Sequence, residues 1–188
     1  NYPLLKSAAE TGRKVLLSSG MSSWDELDGA VEILKQNGCQ DLAVLQCTSK
    51  YPCPPEDAGL QLISELAGRY GVAVGYSDHT LGMAIPLAAV TLGARIIEKH
   101  FTLSRLMYGS DAKNSMEPAE FKDMVQGIRD IEASLASGFD KNSATRSMQD
   151  MKDIFEKSVV TIQPIAEGET FSEKNIATKK PGTGISAR

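Results

Sequence analysis

Short apolar runs alternate with longer amphipathic stretches along most of the chain. The runs are rich in Val, Ile and Leu and predict buried strands at residues 15–18, 42–47, 72–76 and 95–99. Between and after them, apolar side chains recur at helical spacing and predict helices at residues 23–37, 57–69, 83–92 and 115–135. Ser23 and Glu26 are spaced as a capping box at the start of the first of these helices. The sequence therefore predicts a strand–helix unit that is repeated four times.

A repeated strand–helix unit is typical of parallel α/β folds. Four units correspond to half of a (β/α)8 barrel or to part of a doubly wound sheet, and a whole barrel takes about 250 residues. We expect the barrel-like part to occupy residues 1–137 and a linker, with a short helix near its end, to occupy residues 138–157. We expect residues 158–188 to form the first part of a small β-rich domain. A piece of about 30 residues is too small to be stable alone.

The composition excludes several classes of protein. The net charge is −4 for 188 residues, which argues against a nucleic-acid partner. No apolar run approaches the ~20 residues that a membrane helix needs, and the first residues lack the apolar core of a signal peptide. The three cysteines are an odd number and fit no zinc spacing, so we expect a reduced, cytoplasmic protein.

Both histidines of the chain follow predicted strands of neighbouring units. His79 follows the third strand and His100 the fourth. In parallel α/β folds the carboxyl ends of the strands form the edge at which ligands bind. Because strand side chains alternate in direction, Ser77 shares a face with His79, and Glu98 shares a face with His100. We interpret the two imidazoles as candidate ligands of a catalytic metal such as manganese, iron or zinc; two structural histidines are the alternative interpretation.

The same predicted edge carries several hydroxyl groups, at Ser18, Ser19, Ser49 and Ser77. Hydroxyls and free backbone N–H groups at helix starts are what a phosphate group requires, so these residues favour an anion site, although helix capping also accounts for serines. Tyr51 and Asp111 are candidates for contact with a polyol or sugar, or are ordinary loop residues. Lys180 is a candidate anion contact or a solvated side chain.

Six segments of the chain resemble the sialic acid synthase family. In order they are LSSGMSSWDEL, CTSKYPCPPEDAGL, VGYSDHTLGMAIPLAAVTLGA, IIEKHFTL, GSDAKNSMEPAEF and NIATKKPGTGI. The resemblance covers nearly the whole chain, and the pair SDHT and EKHF with the ending KKPGTG is specific. It implies a TIM barrel, of which this chain holds the second half, followed by the start of a small antifreeze-like domain.

The resemblance also implies an activity and its partners. Enzymes of this family condense phosphoenolpyruvate with an N-acetylated amino sugar such as N-acetylmannosamine, and they release a nonulosonic acid and phosphate. The resemblance implies that His79 and His100 bind a divalent metal, Mn²⁺ or Mg²⁺. It also implies a homodimer in which the antifreeze-like domain reaches over the partner's active site. As the charge and the apolar runs predict, we expect no nucleic acid or membrane to be involved.

Further residues fall on functional positions of the family. By the resemblance, the residues around phosphoenolpyruvate are Ser18 or Ser19, Ser49 and Ser77. Tyr51 and Asp111 fall on positions that contact the sugar, and Asp111 is a candidate for proton transfer beside the two metal-binding histidines. Lys180 stands where many relatives carry an arginine that reaches the acceptor's N-acetyl group from the other subunit. Lysine keeps the charge of that arginine and lacks its planar fork.

Two alternatives to a sialic acid synthase stay open at this point. One is a synthase for a pseudaminic or legionaminic type of acid, and the other is a non-catalytic remnant that binds sugar or phosphate.

The resemblance begins near the fourth barrel strand of the family, and half a barrel exposes an unpaired strand at each side. We therefore expect this chain alone to be unstable or inactive, and the full gene product to be an enzyme.

Overall fold

The structure, a computed structural model, describes residues 1–187. Its contacts divide the chain into two compact units, of which the first is Asn1–Ala136 and the second begins at Ser137. The helices are α1 Tyr2–Glu10, α2 Trp24–Gln36, α3 Leu62–Tyr70, α4 Ala84–Thr91, α5 Pro118–Ala136, α6 Lys141–Ser147 and α7 Gln149–Phe155. The strands are β1 Val15–Ser18, β2 Leu42–Cys47, β3 Ala73–Asp78, β4 Ile96–Lys99, β5 Ser158–Thr161 and β6 Ile176–Lys179. No helix in this part of the chain is long and apolar enough to cross a membrane.

The first unit is built on a parallel sheet whose strands follow one another in chain order, β1-β2-β3-β4. All three pairings are parallel, and a helix lies between each strand and the next. A doubly wound sheet reverses its strand order at a switch point, whereas a (β/α)8 barrel does not. The first unit is therefore half of a (β/α)8 barrel, which is one of the two folds that the periodicity left open and the one that the resemblance implies.

The two faces of this sheet differ in what covers them. The helices pack against one face and form the core with side chains that include Leu42, Val44, Val74 and Tyr76. Because strand side chains alternate, Leu45, Cys47, Ser77 and Glu98 point to the opposite face. Parallel register places Cys47 beside Ser77, and Ser77 beside Glu98. That second face corresponds to the interior of a barrel. By the same alternation, His79 and His100 lie on this side, just beyond the ends of β3 and β4.

Two helices begin later than the sequence predicts. Pro55–Asp57 form only a 3₁₀ turn, and α3 begins at Leu62. Gly59 interrupts the helical pattern with a φ of 66°, which a right-handed helix does not accept. The last predicted helix of the first unit was expected to begin at Ser115, but α5 begins at Pro118. The Ser115 hydroxyl instead donates to the Asp111 carbonyl oxygen at 2.8 Å.

The second unit contains a two-stranded antiparallel sheet formed by β5 and β6. The sequence predicts β5 but not β6, a strand of only four residues that is followed directly by Lys180 and Pro181. The Ser158 hydroxyl accepts from the Gly184 N–H at 2.9 Å and donates to the Pro181 carbonyl oxygen at 2.7 Å, which fastens the C-terminal loop to β5. The stretch expected to be a linker contains α6 and α7. The domain limits and the antifreeze-like assignment stay predictions.

Candidate active site

Both histidines lie at the carboxyl end of the parallel sheet. His79 follows β3 directly, and its carbonyl oxygen accepts from the Cys53 N–H at 2.8 Å. His100 follows β4, and its carbonyl oxygen accepts from the Met116 N–H at 2.8 Å. The backbone of each histidine is therefore hydrogen-bonded to a loop, that of His79 to the loop after β2 and that of His100 to the loop after β4. The imidazole centroids are 5.2 Å apart, with the rings nearly perpendicular at 81°.

The partners of the two rings determine which nitrogen is available to a ligand. His79 Nδ1 lies 2.8 Å from the Thr48 carbonyl oxygen, which can only accept, so Nδ1 carries the proton. His100 Nδ1 lies 3.7 Å from the Asp111 carboxylate, which favours a proton on Nδ1 of that ring as well. In the neutral form of each ring, the lone pair is then on Nε2. This is the arrangement by which a second contact fixes the tautomer of a metal-binding histidine.

Aromatic and sulfur contacts surround the histidine pair. The Tyr51 ring lies 4.2 Å from the His79 ring and 5.7 Å from the His100 ring, measured between centroids. Tyr51 is half exposed, so its ring covers the histidines from the solvent side. Cys47 Sγ lies 4.0 Å from His79 Nδ1 on the barrel-interior side of the sheet. The contact of Cys47 with His79 was not predicted from the sequence.

Asp111 reaches the site on a long loop that is held by its ends. The Arg105 guanidinium donates to the Ser115 carbonyl oxygen at 3.0 Å and forms an ion pair with Glu120. Glu117 accepts from the Arg105 N–H at 2.8 Å. The hydrogen bond from the Glu117 N–H, followed by the one from Arg105, lowers the pKa of Glu120, so that carboxylate stays charged and keeps the ion pair. The loop brings Asp111 to His100 and leaves its carboxylate half exposed.

The predicted serines fall into different environments. The Ser77 hydroxyl donates to Glu98 at 2.6 Å on the barrel-interior face. Ser18 is exposed at the end of β1 on that same face. Ser49 lies close to the loop after β1, since a Cβ placed on Gly20 would be 3.5 Å from its hydroxyl. These three hydroxyls, with the histidines, thus lie at or near one end of the sheet.

Ser19 differs from the other predicted serines because its hydroxyl is buried and engaged. It accepts from the Cys47 N–H at 2.9 Å and donates to the Gln46 side chain at 3.2 Å. Ser19 therefore ties the end of β1 to β2. It also borders a cavity of about 270 Å³ that lies next to the start of α2, where Ser22, Ser23 and Thr48 supply further hydroxyls.

Lys180, the last predicted site residue, belongs to the second unit. Its Nζ atom lies 4.7 Å from the centroid of the Phe155 ring, a cation–π contact within that unit. Lys180 is exposed. Its predicted contact with an acceptor stays a prediction.

Sequence reasoning missed one polar pair at the site. Lys99 and Asp78 form an ion pair of 2.6 Å, and their side chains are 1% and 0% exposed. Each residue directly precedes one of the histidines, and parallel register pairs them across β3 and β4. The signal was present in the sequence, since opposite charges stand at equivalent positions of two neighbouring strands.

The side chains of this chain can supply part of a metal site. Among residues 1–187 no three His, Cys, Asp or Glu side chains form a group suited to hold a metal ion. Two adjacent imidazoles do suit Mn²⁺, Fe²⁺ or Zn²⁺, and Asp111 adds a carboxylate nearby. The donor set therefore fits a divalent cation that takes its remaining ligands from water or substrate.

A half barrel with two adjacent histidines at its carboxyl edge defines the chain as part of a (β/α)8-barrel protein with a candidate catalytic site. Comparison with known sequences is more specific. The sequence profile of the NeuB family matches residues 1–140. The chain belongs to the NeuB family.

Individual relatives agree with this assignment. The whole chain is 45% identical to the uncharacterised protein MJ1065 of Methanocaldococcus jannaschii and covers 55% of it. It is 43% identical to the N,N'-diacetyllegionaminic acid synthase of Campylobacter jejuni and covers 56% of that protein. Its structure is similar to that of the N-acetylneuraminic acid (sialic acid) synthetase of Leptospira borgpetersenii, with a TM-score of 0.71 and 38% identity, over 79% of this chain and 52% of the other. The chain thus spans about half the length of these proteins.

Proposed function

We propose that the protein condenses phosphoenolpyruvate with an N-acetylated amino sugar to give a nonulosonic acid and phosphate. Membership of the NeuB family supports this reaction, because a legionaminic acid synthase and a sialic acid synthetase are among the proteins it resembles. The observation that carries the proposal is the pair of imidazole rings, His79 and His100, side by side at the ligand-binding edge of the sheet.

In this proposal His79 and His100 hold a divalent cation, Mn²⁺ or Mg²⁺, through their Nε2 atoms. A divalent cation bound there supplies a Lewis acid that polarises the aldehyde oxygen of the open-chain sugar. The chain's own contribution is to orient both rings. The Thr48 carbonyl oxygen accepts from His79 Nδ1, and the Asp111 carboxylate faces His100 Nδ1, so the Nε2 atom of each ring points away from these contacts.

The reaction balances with the groups at this edge. C3 of phosphoenolpyruvate forms a bond to the aldehyde carbon of the sugar, water adds at C2, and phosphate leaves as the C2–O bond breaks. We assign binding of phosphoenolpyruvate to Ser49, Ser77 and one of the two serines Ser18 and Ser19. Asp111 is the candidate group to move the proton of a sugar hydroxyl or of water, since its carboxylate is half exposed beside His100.

Tyr51 is assigned to the sugar. Its ring rests on both imidazoles and half of its surface is exposed, so it offers an aromatic face next to the reacting edge. Lys180 is assigned to the acceptor's N-acetyl group. In the proposed homodimer the second unit is the start of an antifreeze-like domain, and it brings Lys180 to the partner's site. Lysine offers that group one hydrogen-bonding ammonium in place of a fork.

The relatives favour two kinds of acceptor sugar in this proposal. The reaction adds only the carbons of pyruvate, so a diacetylated product requires a sugar that already carries two N-acetyl groups. The resemblance to a diacetyllegionaminic acid synthase extends over the whole chain, which favours a diacetamido sugar. The structural similarity to a sialic acid synthetase favours N-acetylmannosamine.

The test is phosphate release by the full-length gene product supplied with phosphoenolpyruvate, Mn²⁺ and each sugar in turn. We expect release with one sugar and its loss in the His79→Ala/His100→Ala variant. Asp111→Asn is expected to lower kcat by about 10²-fold or more, in line with the usual size of general acid–base catalysis. Release that is unchanged in the double histidine variant would refute the metal assignment. No release with any sugar from a folded protein would leave a binding protein as the better interpretation.

A further inference from the structure

The buried ion pair of Lys99 and Asp78, next to the site, takes no part in the proposed chemistry. The Lys99 side chain is 1% exposed, and that of its partner Asp78 is fully buried. Ordinary lysines keep their ammonium group in water, and burial of a charge is costly unless it is paired and hydrogen-bonded. A buried ammonium at this position therefore calls for a physical account.

The contacts of Lys99 span both histidine-bearing strand ends. Its Nζ atom donates to the Asp78 carboxylate and to the Thr80 carbonyl oxygen, the two residues that flank His79. The other Asp78 oxygen accepts from the Thr80 N–H at 2.9 Å and closes a turn around His79. Lys99 itself is bonded covalently to His100. One ammonium group thus connects the backbone on each side of His79 to the residue before His100.

We propose that Lys99 is a positioning residue that sets the separation of His79 and His100 and thereby the affinity of the site for a divalent cation. The proposal rests on the proposed function in so far as the pair binds metal. The Lys99 ammonium holds the backbone around His79, and moving it away would leave the buried Asp78 carboxylate unpaired. The two rings therefore keep one mutual arrangement. Alternation turns Lys99 and Asp78 away from the barrel interior, which separates their role from direct contact with substrate.

The first test measures binding of Mn²⁺ by electron paramagnetic resonance to the full-length gene product, without substrates. Lys99→Met keeps the length of the side chain and removes the ammonium. We expect it to weaken Mn²⁺ binding by about 10–100-fold, the usual effect of losing a residue that orients metal ligands. Leu34→Ala is the matched control, because it opens a cavity in the core of the first unit at a fully buried position of α2. It is expected to lower stability and leave Mn²⁺ affinity within about twofold of the original value.

A second variant protects the test against misfolding. Lys99→Met alone leaves Asp78 as an unpaired buried charge, which is strongly destabilising. Asp78→Asn/Lys99→Met removes both charges, and the side-chain amide oxygen that it introduces can still accept from the Thr80 N–H. This double variant is expected to fold and to bind Mn²⁺ as weakly as Lys99→Met.

The outcomes separate this inference from the proposed function. Mn²⁺ binding at the original affinity in the double variant overturns the positioning role. Weakening of Mn²⁺ binding in Leu34→Ala by as much as in Lys99→Met also overturns it. Both outcomes leave the proposed condensing reaction unaffected. If the unmutated protein binds Mn²⁺ no better than His79→Ala/His100→Ala, the metal assignment is wrong. The positioning role is then decided by crystal structures of the unmutated and double-variant proteins. A shift of about 1 Å or more between the imidazoles supports it, and an unchanged separation overturns it.

Discussion

At the scale of single residues, the two serines at the end of β1 show how neighbouring side chains acquire different roles. Strand alternation directs Ser18 to the barrel interior, where its hydroxyl is exposed. Ser19 turns the other way, and its hydroxyl satisfies the buried N–H of Cys47. The resemblance to the family assigned the phosphate to one or the other. The contacts favour Ser18 as the free hydroxyl and Ser19 as a structural link between β1 and β2.

The two serines are predicted to respond differently to replacement by alanine. Ser19→Ala removes the acceptor of the Cys47 N–H and the donor to Gln46 Oε1, so we expect it to lower the free energy of unfolding by about 1–3 kcal/mol. Ser18→Ala is expected to change stability by less than ~0.5 kcal/mol and to raise the KM for phosphoenolpyruvate. Urea unfolding and steady-state kinetics of the full-length gene product measure both effects. Equal stability losses in the two variants would contradict the assignment.

At the scale of elements, β3 is shaped by the absence of a side chain at Gly75. A Cβ there would lie 2.7 Å from the Ile96 carbonyl oxygen and 2.9 Å from Leu45 Cγ. Both neighbours belong to adjacent strands, β4 and β2, and the oxygen is part of the backbone. Gly75 thus allows β3, the strand that precedes His79, to lie close to β2 and β4.

Gly75→Ala is predicted to be destabilising because the added methyl group forces the strands apart. We expect a loss of about 1–3 kcal/mol in the free energy of unfolding, the usual cost of overpacking. Gly68→Ala is the control, since that glycine lies in α3 with no atom within 4 Å of the added Cβ. It is expected to gain up to ~1 kcal/mol from the better helix propensity of alanine. Chemical unfolding of both variants checks the prediction, which fails if Gly75→Ala is neutral.

A second element-scale feature joins α2 to α3 on the outer surface. The Arg69 side chain pairs with Asp28 through both carboxylate oxygens and lies 4.7 Å over the Trp24 ring. The Tyr70 hydroxyl donates to Asp28 at 2.8 Å. The hydrogen bonds from Arg69, and then from Tyr70, lower the pKa of Asp28 to about 2.

The lowered pKa of Asp28 predicts a pH-dependent contribution to stability. A carboxylate whose pKa is lower in the folded than in the unfolded state stabilises the fold above its unfolded pKa, about 4, and loses that effect as the pH falls towards 2. Asp28→Asn is therefore expected to be less stable than the original protein at pH 7, with a difference that shrinks between about pH 4 and pH 2. Unfolding curves over this range measure it. Asp123→Asn on the exposed side of α5 is the control, and an identical pH dependence in it would contradict the prediction.

At the scale of the whole molecule, the first unit has the strand order of a barrel without its closure. Among the described residues, β1 pairs only with β2 and β4 only with β3, so each has an edge with unpaired backbone groups. Leu16 of β1 is 46% exposed on the face that a closed barrel would cover. Exposed sheet edges and apolar interior positions favour association with other chains.

The open sheet predicts that these 188 residues behave differently from the full-length gene product. By themselves they are expected to melt without a sharp cooperative transition and to release no phosphate from phosphoenolpyruvate. The full-length gene product is expected to melt cooperatively and to be active. Calorimetry and the phosphate assay, run on both proteins, make the comparison. A cooperative melt together with turnover from the 188 residues would show that the half barrel is sufficient.

Local patterns in the sequence were enough to predict the strand–helix alternation and the position of both histidines directly after strands. These features follow from local physics, since hydrophobic periodicity distinguishes strands from helices and parallel strands present their carboxyl ends at one edge. Local periodicity did not predict three contacts of the site: Tyr51 covers the histidines, Asp111 reaches His100, and Lys99 is buried against Asp78. Those contacts depend on the register between strands and on the paths of long loops. Both are fixed by packing between residues far apart in the chain, which local periodicity does not encode.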